Sequence, residues 1–429
     1  MQPDKTPHLN ENETASPCPV LFVHYGDNWV RGSEQCLLDL LLFLDRKLFY
    51  PVVWCNSQRM YLEILALKIE VVCEPFPLLL GWQKPFWDVK GFMRLIRRGK
   101  ALVDHYNIQL IHSNSGGPCQ WLNFIARSRK LPLVAHLHSH YLIRDRLTLG
   151  LTQVSHVIAV SPPVAGQLTE IGMPRERITT IANGINRQKF IRARSTNLRT
   201  LLKLDKQDFV LFSTGSLIHR KGMDILIAAT AFVRQSGIPA KLIIAGSGSE
   251  QANLARQINS LGLAKDVFLL GERPDLPALL KGGVDIFVSG AREEAFGLVL
   301  AEAALNAIPV IAPAVGGIPF VIRHKQTGLL IPPDDPQTMA EKIIQLYRDP
   351  ALRLSLGLAG EKHARENFLV AGYVGNIQAC YLSLLGDEKH RLCWQSHWVI
   401  KKPLGKLLAA VCKNAVKYAR LPALLTPGR

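Results

Sequence analysis

The stretch DIFVSGAREEAFGLVLAEAALNAIPVIAPAVGGIPFVI, from Asp285 to Ile322, decides the fold class of this chain. It reads as an apolar strand, a loop of small residues, a helix that begins at about Phe296–Gly297, and a second apolar strand. A strand, a helix and another strand in this order are typical of a parallel α/β sheet. The backbone amides at the helix start have no partner inside the helix, and with the helix dipole they attract a phosphate group.

The same alternation continues on both sides of this stretch. Helical patterns separate short apolar runs, and the near-continuous Val, Ile and Leu content of these runs indicates helices on both faces of each sheet. The predicted strands are 20–25, 50–55, 69–74, 108–114, 133–138, 156–161 and 178–184 in the first half, and 209–215, 240–246, 267–271, 285–290, 309–313 and 328–332 in the second. The sequence therefore predicts two α/β halves, each built on a parallel sheet.

Composition predicts where the segments of the chain begin and end. Residues 1–18 are polar and lack an apolar signal core, which predicts a flexible N-terminus. The further predicted segments are a Rossmann-like domain at 19–185, a polar and basic linker at 186–208, a second Rossmann-like domain at 209–368, a C-terminal helix at 369–385, and a basic amphipathic tail at 386–429.

The charge balance favours anionic partners. The 51 Lys and Arg residues exceed the 34 Asp and Glu residues, which gives a formal net charge of +17. Such a field suits nucleic acid, an acidic membrane surface or phosphorylated substrates, and composition does not choose among them. The eight cysteines form no Cys-x-x-Cys pair, and no run approaches the roughly 18 apolar residues of a spanning helix. These features predict a cytoplasmic protein, either free or peripheral on the inner membrane face.

Two segments mix apolar and basic residues at helical spacing. They are 401–425, within the predicted tail, and 86–103, within the first domain. Basic amphipathic helices lie on anionic membranes. An ordinary helix that packs on the protein body and exposes a basic face gives the same pattern, so both interpretations stand.

Two carboxylates flank the start of the helix near Phe296. Glu294 precedes it, and Glu302 follows two turns inside it. A carboxylate accepts hydrogen bonds from two hydroxyl groups, so one of them could hold a transferred sugar and the other a ribose. The alternative is a helix cap and a solvated face.

The spacing of Glu294 and Glu302 in EEAFGLVLAEA, followed by IPVIAPAVGGIPFVI and TGLLIPPDD, resembles glycosyltransferase family 4. The likeness runs from about Pro19 to Leu385. It includes GSEQ at 32–35, IHSNS at 111–115, HLHSH at 136–140, HVIAVS at 156–161, IANGIN at 181–186, GSLIHRKG at 215–222 and IAGSGSE at 244–250. The resemblance implies the GT-B fold, in which an N-terminal acceptor domain and a C-terminal nucleotide-sugar donor domain face each other across a cleft. It also implies that the C-terminal helix at 369–385 returns toward the first domain.

The resemblance also implies a reaction and its residues. Family members transfer a sugar with retention at the anomeric carbon, here from a nucleotide-diphosphate sugar to a glycan or lipid-linked acceptor. The matching positions make Glu294 the contact to the donor sugar, Glu302 the contact to the ribose and Lys221 the diphosphate ligand, with His138 near the reacting sugar. A fixed cation at Lys221 would lower the barrier, because negative charge grows on the β-phosphate when the glycosidic bond breaks.

The chain departs from the family pattern at several of these positions. Ser216 stands where an Arg often assists the diphosphate-binding Lys, and Arg220 is expected to supply the missing positive charge. In the Gly-Gly loop that approaches the phosphates, Arg31 replaces the first Gly and Gly32 keeps the second. Phe320 and Asn306 stand where Glu and Gly are usual. The predicted catalytic residues are His138, Lys221 and Glu294; the predicted donor-binding residues are Gly32, Ser216, Arg220, Lys221, Glu294, Phe296, Gly297, Leu298 and Glu302.

The sequence predicts neither a cofactor nor an obligatory metal ion. A metal-dependent transferase would need an Asp-x-Asp motif to chelate the cation that bridges the diphosphate, and the chain contains none. Strand alternation puts His136, His138 and His140 on one face, where a zinc site is an alternative, although no nearby carboxylate or cysteine completes the set.

Two other functions remain open from the sequence. A nucleotide-sugar epimerase of the GT-B class would share the fold, but the set of Lys221, Glu294 and Glu302 argues against it. A nucleic-acid-binding protein would suit the net charge of +17, but no aromatic-basic RNA motif or zinc finger supports it. The predicted partners are therefore a nucleotide-sugar donor, a glycan or lipid-linked acceptor and an anionic membrane surface, without nucleic acid.

Overall fold

The computed structural model describes residues 16–82 and 87–386. The predicted flexible N-terminus, apart from residues 16–18, and the predicted basic tail, apart from Gly386, lie outside the described residues. The segment 86–103 is described from Trp87 onward.

The first half of the chain forms a seven-stranded parallel sheet. Its strands are β1 (Cys18–His24), β2 (Phe49–Cys55), β3 (Glu70–Cys73), β4 (Leu110–Ser113), β5 (Leu133–Leu137), β6 (His156–Ala159) and β7 (Ile178–Thr180). They lie side by side in the order β3-β2-β1-β4-β5-β6-β7, and every neighbouring pair is parallel. The order reverses direction between β1 and β4, and the crevice at such a reversal is where open α/β sheets bind ligands.

The second half forms a six-stranded parallel sheet of the same kind. Its strands are β8 (Phe209–Thr214), β9 (Ala240–Ala245), β10 (Val267–Leu269), β11 (Ile286–Val288), β12 (Val310–Pro313) and β13 (Leu329–Ile331), in the order β10-β9-β8-β11-β12-β13. Here the reversal lies between β8 and β11. Each of the thirteen predicted apolar runs overlaps one of these strands, so the predicted fold class of two Rossmann-like domains is confirmed.

Helices connect consecutive strands, as parallel pairing requires. They are α1 (Gly32–Phe43), α2 (Gln58–Ala66), α3 (Val89–His105), α4 (Cys119–Arg129), α5 (Ile143–Thr148), α6 (Pro162–Thr169), α7 (Arg187–Arg192), α8 (Leu198–Leu202), α9 (Met223–Gln235), α10 (Gln251–Ser260), α11 (Leu276–Leu280), α12 (Leu298–Leu305), α13 (Ile318–Val321), α14 (Pro336–Arg348), α15 (Pro350–Asn367) and α16 (Val370–Gly386). Short 3-10 turns lie at Arg175–Arg177 and His219–Lys221.

The segment expected to be a linker, 186–208, contains the two short helices α7 and α8. Each buries one apolar side chain, Phe190 in α7 and Leu198 in α8. Most polar residues of this segment lie on its exposed side, while Phe190 and Leu198 pack it against the rest of the protein.

The last helix packs in the core of the first domain. Side chains of α16 join those of α1 and the first sheet in one apolar cluster. The Tyr381 hydroxyl lies 2.7 Å from Nδ1 of His112 on β4, and both residues are fully buried. The chain returns from the second domain to the first between Phe368 and Val370. There Ile185 N donates to Phe368 O, and Val370 N donates to Ile185 O. The C-terminal helix thereby completes the core of the first domain, although it is distant from that domain in sequence.

Candidate active site

The loop after β8 brings a lysine to the carboxyl end of the second sheet. Lys221 ends the 3-10 turn, and Gly222 follows in the left-handed conformation with φ of 59°. A Cβ at Gly222 would collide with the carbonyl oxygen of Gly290, so only glycine lets this turn pack on the loop after β11. The close approach brings Lys221 Nζ to 2.5 Å from Oε2 of Glu294, and both side chains are largely buried. The predicted pair is therefore in direct contact.

Hydrogen bonds to its backbone carbonyl groups fix the loop between β11 and α12. Ser161, from the first domain, donates its hydroxyl to Ala295 O at 2.5 Å, and Gly317 N donates to Glu294 O at 2.8 Å. Gly297 has φ of 95° and caps α12. Within the described parts of the chain, no group accepts a hydrogen bond from the amides of residues 296–298. They are free to bind an anion at the positive end of the helix dipole.

Phe296 contributes its backbone to this site and not its ring. The side chain is 2% exposed, and its ring lies edge-on to those of Phe320 and Phe368 at 6.3 and 5.6 Å. Phe320, which departs from the family pattern, thus joins an aromatic cluster under the loop.

A loop of the first domain faces this helix start. A Cβ at Gly32 would lie 4.0 Å from Cδ2 of Leu298. Next to Gly32, Arg31 Nη1 donates to the Ser216 hydroxyl at 2.8 Å, although the two residues are 185 positions apart. The sequence indicated Arg31 only as a departure and did not predict this contact between the domains.

A buried hydrogen-bond network supports this loop. Glu34 accepts hydrogen bonds from the backbone N of Arg31 and the hydroxyl of Ser33, both at 3.1 Å, and its Oε1 lies 3.4 Å from Nε2 of His24. Burial alone would raise the pKa of Glu34, but the hydrogen bond and charge of His24 lower it to about 2. Asn114 Nδ2 lies 3.2 Å from Nδ1 of His24 and 3.2 Å from Ser33 O.

Sequence reasoning assigned no role to His24, Glu34 or Asn114. The motifs GSEQ and IHSNS contain Glu34 and Asn114, and this was the signal that could have identified them.

His138 lies at the wall of a first-domain cavity of about 170 Å³. Its Nε2 is 3.3 Å from Oδ1 of Asn114. Burial lowers the pKa of His138 to about 4; the charge of Glu34 opposes this shift and that of His24 adds to it. The imidazole is therefore neutral near pH 7. The cavity is also lined by Trp82, Tyr141 and Ser115.

The prediction that three histidines share one face of a strand is wrong for His140. β5 ends at Leu137, so strand alternation stops, and His140 is exposed on the loop. The His136 and His138 rings are 4.1 Å apart, and the ring of His112 lies 5.4 Å from that of His136. Among the described residues, no group of three or more His, Cys, Asp or Glu side chains is arranged to hold a metal ion.

Among the described residues, neither of the two other predicted charged side chains forms a hydrogen bond or ion pair with Lys221 or Glu294. Burial raises the pKa of Glu302 to about 8, partly offset by Lys189, while Asp39 adds to the shift. Arg220 is exposed, and its Nη1 donates to Glu293 O at 3.2 Å. The structure thus brings together Lys221, Glu294 and the 296–298 amides, with Gly32 and Ser216 beside them.

This arrangement combines groups that suit a sugar phosphate. A buried ammonium group and free helix amides bind phosphate oxygens, and the adjacent carboxylate accepts hydrogen bonds from hydroxyl groups. Within the described ranges, no helix has the length and apolarity that crossing a membrane requires.

Comparisons with known proteins identify the family of this chain. The family model described as Glycosyl transferases group 1 matches residues 195–363, and that described as Glycosyltransferase Family 4 matches residues 30–189. The N-acetyl-alpha-D-glucosaminyl L-malate synthase of Bacillus anthracis is 26% identical over 320 residues, covering 72% of this chain and 82% of that enzyme. D-inositol 3-phosphate glycosyltransferase 1 of Catenulispora acidiphila is 29% identical over 295 residues, covering 62% of this chain and 70% of that enzyme.

A solved structure shows the same architecture. Anabaena HepE, determined in complex with UDP and with UDP-glucose, aligns with a TM-score of 0.72 at 25% identity, covering 85% of this chain and 100% of HepE. The two family models match successive domains, and the two parallel sheets match the GT-B fold. The chain therefore belongs to glycosyltransferase family 4 and is a glycosyltransferase with the GT-B fold.

Proposed function

We propose that this enzyme transfers a sugar, with retention at the anomeric carbon, from a nucleoside-diphosphate sugar to a glycan or lipid-linked acceptor. Synthesis of a cell-surface polysaccharide or a lipopolysaccharide-type glycan is the corresponding process. The contact of 2.5 Å between Lys221 Nζ and Glu294 Oε2, at the start of α12, carries the proposal. In the proposed complex the ammonium group would bind the diphosphate, and the carboxylate would bind a sugar hydroxyl.

The second domain has to stabilise the nucleoside diphosphate that leaves during the reaction. When the bond from the anomeric carbon to the diphosphate breaks, negative charge develops on the β-phosphate, and fixed positive groups stabilise it. Lys221 and the amides of 296–298 are such groups. Glu294 would bind a hydroxyl of the transferred sugar, and Glu302 would bind the ribose. No metal ion is required in this scheme, and undiminished transfer in the presence of EDTA would support that part of it.

The first domain would bind the acceptor. The cavity beside His138 lies at the carboxyl end of β5, and Trp82 and Tyr141 line it. Aromatic faces pack against sugar rings, and the neutral His138 imidazole can accept or donate one hydrogen bond near the reacting centre. Closure of the two domains would exclude the water that otherwise hydrolyses the donor.

The exposed side of α3 supports contact with an anionic membrane. Phe92, Leu95 and Ile96 face the core, while Met93, Arg94, Arg97 and Arg98 are exposed. A lipid-linked acceptor would place the enzyme at such a surface, where each basic side chain near anionic lipid contributes about 1 kcal/mol. Co-sedimentation with vesicles that contain an anionic lipid, compared with neutral vesicles, tests this contact.

The donor is tested first by binding. A thermal-shift screen against UDP-, GDP- and ADP-sugars, started with UDP-glucose because HepE was solved with it, identifies the nucleotide. Product analysis by NMR then gives the anomeric configuration, and conversion of the donor without transfer would indicate an epimerase instead.

The site is tested by Lys221→Ala and Glu294→Ala. Each is expected to lower kcat at least a hundredfold, because each removes a group aimed at the reacting centre. Lys241→Ala is the matched control, since Lys241 forms a similarly buried ion pair with Asp266 at 2.7 Å outside the site. Near-normal transfer by both site variants, with folding retained, would refute the assignment.

A further inference from the structure

We propose that Arg31 of the first domain binds the donor diphosphate together with Lys221 of the second domain. The two phosphate-binding cations would then come from opposite sides of the cleft. This inference rests on the proposed function and adds to it a residue that is not among the predicted donor-binding residues.

One hydrogen bond and two close approaches of the neighbouring backbone define the position of Arg31. Its Nη1 donates to the Ser216 hydroxyl at 2.8 Å. Ser216 directly follows Gly215, where a Cβ would lie 4.0 Å from Cδ of Lys221. Gly32 directly follows Arg31, and a Cβ there would lie 4.0 Å from the side chain of Leu298, the first residue of α12. The guanidinium therefore contacts the loop that also carries Lys221, and the backbone next to Arg31 lies beside the first residue of α12.

The Arg31 side chain is held in place before any ligand binds. Its Cζ lies 3.8 Å from the centroid of the Trp29 ring, a cation–π distance. Its backbone N donates to Glu34, which His24 holds from the other side. A prepositioned guanidinium loses less conformational entropy on binding than a free one.

The charge balance at the site calls for a second cation. Glu294 neutralises Lys221, so this pair brings no net positive charge to a diphosphate. None of the ion pairs among the described residues includes Arg31. Its partner Ser216 is a neutral hydroxyl, which phosphate oxygens can replace with two parallel charge-assisted hydrogen bonds.

Other nearby cations already have partners. Arg220 is exposed and donates to Glu293 O. Arg292 forms ion pairs with Asp224 at 2.7 Å and with Asp334 at 2.6 Å. Arg31 is therefore the cation best placed to take the role expected of Arg220, and a diphosphate that bridges Arg31 and Lys221 would draw the two domains together.

The test measures phosphate recognition separately from nucleoside recognition. Titration calorimetry with UDP, and with GDP and ADP in parallel, is compared with binding of the corresponding phosphate-free nucleoside. Arg31→Ala is expected to weaken nucleoside-diphosphate binding about tenfold or more, the typical effect of losing a hydrogen bond to a charged group, and to leave nucleoside binding unchanged. Arg31→Lys should recover part of the loss, because it restores the charge without the planar fork.

Two further variants sharpen the result. Arg59→Ala removes an exposed arginine of α2 and serves as the inert control. Arg220→Ala tests the rival assignment, and a larger loss of diphosphate affinity for Arg220→Ala than for Arg31→Ala would overturn the inference. So would an Arg31→Ala variant that binds the diphosphate like the wild type, or one that loses nucleoside and diphosphate binding equally. If the wild type binds none of the three diphosphates, the proposed function itself fails.

Discussion

The two glutamates that the sequence pairs by their spacing have different electrostatic surroundings. Glu294 accepts a hydrogen bond from the Lys221 ammonium group. Glu302 is partly buried near Asp39 and Lys189, and none of the described residues donates a hydrogen bond to its carboxyl group. Burial consequently raises its pKa to about 8. A ribose hydroxyl would supply the donor that this carboxyl group lacks.

Glu302→Gln is expected to stabilise the protein at pH 8 and to leave its stability unchanged near pH 4.5. The folded-state pKa lies above the ordinary value of 4.5, so the folded state binds the proton more tightly and the free energy of unfolding falls as pH rises from 4.5 through 8. Glutamine does not ionise, so the variant should gain about 1 kcal/mol or more at pH 8. Urea unfolding at both pH values measures this.

A matched control distinguishes the effect of the partly buried Glu302 from the effect of replacing any glutamate by glutamine. Glu63→Gln changes a glutamate in an exposed ion pair of α2 and should show no such pH dependence. Lower stability of Glu302→Gln than of the wild type at pH 8 would contradict the explanation. Loss of donor affinity in the same variant would further support the ribose-binding role.

At the scale of single elements, much of the structure could be predicted from the sequence. The helix predicted to begin at about Phe296–Gly297 is α12, Leu298–Leu305, because a left-handed glycine caps it and its apolar side chains face the core. The contact of Arg31 with Ser216 could not be predicted. It depends on how loops of two domains meet, and no local pattern encodes a pairing over 185 positions.

The start of α12 gives a test at this scale. Gly297 has φ of 95°, and a Cβ there would lie 3.1 Å from Cδ1 of Leu300 and 3.7 Å from Cγ of Glu294. Gly297→Ala is therefore expected to cost about 1 kcal/mol in stability and to lower donor affinity at least tenfold, because the strain shifts the amides that bind phosphate. Thermal unfolding and titration with UDP-glucose measure the two effects.

Gly262→Ala provides the comparison for this variant. Gly262 also has positive φ, 69°, but nothing lies within 4 Å of a Cβ there, and it follows α10 outside the site. It should lose similar stability and keep its donor affinity. Equal donor affinity in the two variants would show that the helix start does not bind the diphosphate.

At the scale of the whole molecule, the first domain depends on both ends of the described chain. α16 fills a groove beside α1, and its Tyr381 reaches His112 on β4. The sequence predicted a last helix returning to the first domain, from its apolar pattern and its resemblance to the family. It did not predict that this helix covers a buried cluster of His112, His136 and His138, because β4 brings in the third ring from another part of the chain.

This histidine cluster should make the first domain sensitive to acid. Burial lowers the pKa of His112 to about 3 and that of His138 to about 4, and it lowers the pKa of His136 well below its ordinary value. The unfolded chain therefore binds up to three more protons below pH 6.5. The free energy of unfolding should fall as pH decreases from 6.5 toward 4, with a limiting slope of about 4 kcal/mol per pH unit.

His136→Phe is expected to reduce that slope by about a third. Neither ring nitrogen of His136 has a hydrogen-bond partner, and phenylalanine keeps the ring contacts, so stability at pH 8 should change by less than about 1 kcal/mol. Urea unfolding at pH 8, 6 and 5, followed by fluorescence of the buried Trp54 and Trp121, reports on the first domain. His105→Gln, at an exposed position, should keep the wild-type slope. An unchanged slope in His136→Phe would mean that protonation of the cluster does not drive acid unfolding.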